Sequence, residues 1–161
     1  MSRATSAVHH YRVSSSWSGS TGAGYDAYSR AHTTVSPPAG ASLEMSADPA
    51  FLGDPTLLNP EQLLLAAAAS CQLLSFLAVA ARARVDVVEY HDDAEAEMPE
   101  AVRPVRITRI TLRPRISVRG DVAGTRLRHL VEVAHRECYI ANSVASEIVI
   151  EPTFVRVAPA T

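Results

Sequence analysis

The chain has 161 residues, enough for one domain with a sizeable core, and its 47% hydrophobic and 20% charged residues are ordinary globular values. A formal net charge of −2 leaves no global basic field to hold a nucleic acid, which excludes that partner class as a starting expectation. All fifteen Lys and Arg positions are Arg, which with the abundant Ala reads as codon bias more than as function.

In chain order, Met1 to Ser20 is polar and carries no apolar signal-peptide core, so the expected location is the cytoplasm. Residues 1–8 are expected to fray, within a single domain spanning 1–161. His10 to Trp17 alternates as a half-buried strand. Ser18 to Gly24 is a Gly/Ser turn. Tyr25 to Val35 reads as a second strand with Tyr28, Arg30 and His32 on one face. Pro37, Pro38 and Gly40 break it, Ser42 to Ser46 is a third strand, and Ala47 to Leu58 is a loop. Asn59 as N-cap, Pro60 at the first helical position and Glu61 in the first turn mark a helix start. That helix is expected to run to about Arg84. Leu63 to Ala81 is nearly all apolar and almost long enough to span a bilayer. Ser70, Cys71, Gln72 and Ser75 interrupt it and Arg82 and Arg84 close it, so a buried central helix is expected, with no membrane contact.

Val85 to Met98 reads as a strand that turns acidic. Val105 to Arg119 alternates apolar residues with Arg, and Pro114 marks an edge or bulge. Gly120 to Gly124 is a turn. Leu127, Leu130, Val131, Ala134, Cys138 and Ala141 recur at helical spacing across Thr125 to Ser143, and Ile148 to Val157 is a last strand. Three strands, a long helix, two strands, a second helix and a strand give an α+β fold with a mainly antiparallel sheet packed on two core helices.

The chemistry rests on few residues. Two cysteines in a reducing compartment are more often free, catalytic or metal-bound than a structural disulfide, though two unrelated buried thiols are the plain alternative. Cys71 sits mid-way along the apolar helix, where burial alone would raise its pKa and leave it inert. Cys138 lies on the second helix, and a disulfide requires the two Cα atoms to approach within roughly 7 Å. Glu61 is equally a simple helix-terminus charge, Arg30 a solvated strand residue, and Asn142 a helix-ending cap. For metal, His135 and Cys138 share a helix face, but a zinc site wants four convergent ligands or three plus water, so none is expected. Asp92 to Glu97 is a solvated strand face.

Asn59-Pro60-Glu61-Gln62-Leu63-Leu64, then Ala69-Ser70-Cys71, then Cys138-Tyr139-Ile140-Ala141-Asn142-Ser143 together resemble the OsmC/Ohr family, the osmotically inducible and organic hydroperoxide resistance proteins. The resemblance covers about residues 8–157 and falls in an OsmC-like subgroup. It implies an intertwined homodimer with active sites at the subunit interface. It implies that Cys71 is the peroxidatic cysteine, attacking the O–O bond of an organic, fatty-acid-type hydroperoxide and becoming a sulfenic acid. Cys138 matches the resolving cysteine, which closes a Cys71–Cys138 disulfide. A dithiol reductant such as a lipoylated protein would reopen it, with no cofactor. Arg30 best matches the arginine that holds the thiolate, with Arg12 as the other candidate, and Glu61 matches the glutamate that pairs with that arginine. Ten helical residues rise ~15 Å, so Glu61 does not touch Cys71 on one straight helix. Either a folded-back element brings Arg30 between them or a second subunit supplies the partners. The pattern departs from the organic-hydroperoxide branch at Ala31-His32, where that branch is Gly-rich, and from the OsmC branch at Gln72, where His is frequent. The rival reading is a non-catalytic, redox-responsive or ligand-binding dimer on the same fold; a structural protein with inert thiols is the third.

Overall fold

The computed structural model describes residues 7–158. The chain divides into two compact units, Met1–Gln62 and Leu63–Thr161, where composition reads as one domain. Of the residues expected to fray, Ala7 and Val8 are exposed and outside any element; residues 1–6 lie outside the described residues.

The first unit is an antiparallel meander of β1 (Ser14–Ser16), β2 (His32–Val35) and β3 (Ser42–Met45). Cross-strand side-chain bonds hold its register: the hydroxyls of Ser15 and Thr34 lie 2.8 Å apart, and Thr33 Oγ1 donates to Glu44 at 3.0 Å. The strands are shorter than their alternation suggests. Tyr25 to Tyr28 is turn and bend and Ser29 to Ala31 is irregular, so Arg30 does not stand on a strand face. The reason is local: the Arg30 guanidinium donates to the carbonyls of Tyr28 (3.0 Å) and Tyr25 (2.8 Å), which an extended chain does not present to one side chain. A loop follows β3, and its close passage demands glycine: a Cβ on Gly53 would lie 1.6 Å from the Ala47 carbonyl oxygen.

Helix α1 (Pro60–Arg82) starts where the capping residues place it. Asn59 Oδ1 accepts from the Gln62 N–H at 2.8 Å while Gln62 Oε1 accepts from the Asn59 N–H at 3.0 Å, a reciprocal capping box.

In the second unit, α1 buries one face, Ala68, Gln72, Phe76, Val79 and Ala80, and leaves Ala66, Ser70, Leu74, Leu77 and Ala81 open. The expected central helix is thus a core helix of its unit, buried along one face and open along the other. The expected acidic strand is two, β4 (Asp86–Asp92) and β5 (Glu95–Glu97). The alternating Arg-rich stretch is also two, β6 (Arg109–Leu112) and β7 (Pro114–Arg119), because Pro114 opens a new strand. Gly120, at φ 88°, makes the turn out of β7. Helix α2 (Gly124–Glu137) follows, then β8 (Glu147–Ile150) and β9 (Thr153–Val157), parted at Pro152.

Splitting the last strand has a topological consequence. β8 joins β6 and β9 joins β7, both in parallel, giving sheets ordered β5-β6-β8 and β4-β7-β9. Parallel pairing needs a crossover, and α2 supplies it. The α+β class holds, and among the described residues antiparallel pairings outnumber parallel ones, four to two, with both sheets of this unit mixed. The core forms where Phe76, Val79 and Ala80 of α1 meet Ile116 and Val118 of β7 and Leu127, Leu130, Val131 and Ala134 of α2.

Candidate functional site

The second unit brings both cysteines together. Cys71 lies mid-way along α1 and is partly buried; Cys138 is 1% exposed. Sequence periodicity carries α2 through Cys138 to Ser143, but the helix ends at Glu137 and Cys138 is its C-cap, with extended backbone (ψ 112°). The chain then turns through Tyr139 and Ile140 into a 3-10 turn, Ala141–Ser143. Asn142 fixes this turn, its Nδ2 donating to the carbonyls of Cys138 and Arg136, each at 3.0 Å.

The turn aims backbone donors at sulfur. The Ile140 N–H donates to Cys71 Sγ at 3.5 Å and the Ala141 N–H to Cys138 Sγ at 3.4 Å. Their effects on the two thiols differ in sign. Burial works to raise the pKa of Cys71, but the Ile140 N–H, the Cys138 thiol, the Tyr139 N–H and the Ser75 hydroxyl outweigh it and hold it below the ordinary thiol range. Burial pushes Cys138 up to about 11, and its donation to Cys71 adds to that. One thiol is therefore poised to ionise and its neighbour to keep its proton. The donors on this side are two backbone amides, the Cys138 thiol and the Ser75 hydroxyl.

Cys71 opens into a cavity of about 700 Å³ lined along α1 by Ala67, Leu74, Ala78 and Arg82, at the end of α2 by Arg136, and along the turn by Tyr139 and Ile140. On the core side, Gln72 is buried. Its Nε2 donates to the Val131 carbonyl at 3.5 Å and its Oε1 has no partner among the described residues.

Arg30 and Glu61 belong to the first unit, where both line an apolar cavity of about 350 Å³ with Trp17, Tyr28 and Phe51. The Arg30 guanidinium lies 4.3 Å from the Tyr28 ring centroid and 4.6 Å from that of Tyr25. The Trp17 indole N–H donates to the Ser29 carbonyl at 2.7 Å and bolts the loop beside it. Among the described residues Arg30 makes no ion pair with Glu61; its donors go to the two tyrosine carbonyls. Arg12 is exposed ahead of β1. No cluster of three or more metal-ligating side chains forms among the described residues.

Ser75, Arg82, Arg136 and the turn amides were not singled out from sequence. Ser75 and Arg82 follow Cys71 by four and eleven positions, the same helix face, so periodicity from the thiol finds them. The amides have no sequence signal, because they depend on where α2 stops.

A sequence model described as OsmC-like protein matches residues 53–153. Among solved structures, an OsmC-like protein of unknown function from Vibrio cholerae superposes with a TM-score of 0.81 at 29% identity, covering 91% of this chain and 100% of its own. An organic hydroperoxide resistance protein from Elizabethkingia anophelis gives a TM-score of 0.68 at 17% identity, covering 94% and 99%. One from Bacillus subtilis gives 0.60 at 18% identity, covering 92% and 100%. No curated protein matches the sequence.

Proposed function

The chain belongs to the OsmC-like protein family, and from that premise we propose that it is a cysteine-based peroxidase reducing organic hydroperoxides to alcohols. The observation that carries this is the pair of free thiols under one turn, Cys71 held below the ordinary thiol range and Cys138 raised to about 11. Solved structures of the same fold that are named organic hydroperoxide resistance proteins support the choice of chemistry.

The steps balance. The Cys71 thiolate attacks the terminal oxygen of ROOH; an S–O bond forms, the O–O bond breaks, and RO⁻ leaves and takes a proton as ROH. Cys71 is now a sulfenic acid. The Cys138 sulfur attacks it, forming the Cys71–Cys138 disulfide, while the hydroxyl leaves with the Cys138 proton as water. An external dithiol, such as a lipoylated protein, reduces the disulfide and becomes oxidised itself. The apolar walls of the Cys71 cavity favour an organic peroxide over hydrogen peroxide. Arg30 is the residue we assign to orienting the peroxide, with Glu61 steadying it. In the described fold the Tyr25 and Tyr28 carbonyls and rings hold that guanidinium, and Glu61 lines the same cavity.

We further propose a homodimer in the reducing cytosol. The open apolar stripe of α1, with Leu74 63% exposed and Leu77 38% exposed, calls for a cover, and a second copy is the one the fold family suggests.

The test is stoichiometric. One equivalent of cumene hydroperoxide should remove both free thiols and yield an intrachain disulfide that dithiothreitol reverses. Loss of neither thiol refutes the reading.

A further inference from the structure

A second cavity of the same unit, of about 250 Å³, lies between α2 and β8 and shares no lining residue with the Cys71 cavity. That volume is below the range for drug-sized ligands, so its occupant is small. Its α2 wall is Arg128, Glu132 and His135, at helical spacing along one stripe, with Val131 beside them. Its β8 wall is Ile148 and Ile150, two residues apart and so on one face of the strand, and both pack against the core.

The charges on this wall are not spent on each other. Arg128 and Glu132 stand at a helical spacing that suits an ion pair. Yet among the described residues no carboxylate lies within ion-pair distance of the Arg128 guanidinium. Glu132 meets only His129 Nδ1, at 4.0 Å. The Nδ1 of His135 is buried and has no hydrogen-bond partner among the described residues. A buried ring nitrogen left so costs free energy that a bonding partner recovers.

The wall selects the charge of its occupant. A plain anion would face Glu132 and a plain cation would face Arg128. A molecule that carries both charges close together satisfies the two side chains at once. Val131, Ile148 and Ile150 then ask for a hydrocarbon branch. We propose that this cavity is a binding site for a small apolar α-amino acid. Its carboxylate takes the Arg128 guanidinium, whose planar fork matches it with two parallel N–H donors. Its ammonium donates to Glu132 and to His135 Nδ1, an acceptor in the tautomer protonated on Nε2. Its side chain lies against Ile148 and Ile150. None of these groups takes part in the peroxide chemistry, so the site stands or falls apart from it.

The test is calorimetric titration of the purified, reduced full chain with three probes. They are L-leucine, isocaproate, which lacks the ammonium, and isopentylamine, which lacks the carboxylate. Leucine should bind about five- to tenfold more tightly than either, the range for losing one partly solvated charge-assisted contact. Arg128→Gln should erase the preference over isopentylamine and keep that over isocaproate. Glu132→Gln should do the converse. Both positions are exposed, so the circular dichroism spectrum should be unchanged in each variant. The methyl resonances of Ile148 and Ile150 should shift as leucine is added, which locates the binding. No leucine binding at millimolar concentration, a probe lacking one charge that binds as tightly as leucine, or preferences untouched by both variants overturns the site.

Discussion

The two cysteines differ in protonation because they differ in what faces them. Cys71 accepts hydrogen bonds from two amides, a hydroxyl and a thiol; Cys138 is enclosed and, keeping its proton, donates a hydrogen bond to its neighbour. In the reduced protein, iodoacetamide should therefore modify Cys71 first, with a pH midpoint lower than that of an ordinary thiol. Cys138 should stay unmodified until the pH approaches about 11. Peptide mapping by mass spectrometry reads both; equal labelling at neutral pH contradicts the assignment of roles. A Cys138→Ser variant should still lose one oxidising equivalent at Cys71 but stop at the sulfenic acid, trapped by dimedone, and over-oxidise with excess peroxide. Arg30→Ala should slow the first oxidation by about a hundred- to a thousandfold, the scale for losing one donor to a developing oxyanion. If Arg12→Ala does so instead, the wrong arginine has been chosen.

At the scale of elements, what the sequence reveals tracks how local the cause is. The start of α1 was legible because Asn59, Pro60 and Gln62 lie within one turn and satisfy one another. Asn59→Ala should accordingly cost about 1 kcal/mol in the urea unfolding free energy. One strand break is also local, at Pro114, which the alternation marks as an edge or bulge; the break at Pro152 is not, since Ile148 to Val157 reads as a single strand and the structure parts it into β8 and β9. The end of α2 was not legible. Apolar spacing continues through Cys138 and Ala141, and only the tertiary turn capped by Asn142 stops the helix. The curl of Tyr25 to Ala31 was missed for a related reason, because alternation is blind to a guanidinium that bonds carbonyls two and five residues behind it. Parallel pairing of β6 with β8 and β7 with β9 was hidden too, since strand patterns carry no partner label. Both cysteines were found from sequence; the donors that divide their acidities were not.

For the whole molecule, α1 is the pivotal element. It is long and apolar enough to cross a membrane, yet its Phe76, Val79 and Ala80 face is packed into a core with α2 and β7. The opposite face, through Leu74 and Leu77, is the proposed seat of a second copy. Sedimentation velocity should show a dimer at micromolar concentration, and Leu77→Arg should shift it toward monomer with the circular dichroism spectrum unchanged. A monomer in the unmodified protein contradicts the dimer. The central claim concerns chemistry, and steady-state consumption of cumene hydroperoxide and of hydrogen peroxide with dithiothreitol tests it most directly, beside Cys71→Ser. The account expects sustained, faster loss of the organic peroxide and none in the variant. Oxidation that stops after one equivalent, or turnover that survives Cys71→Ser, would contradict it.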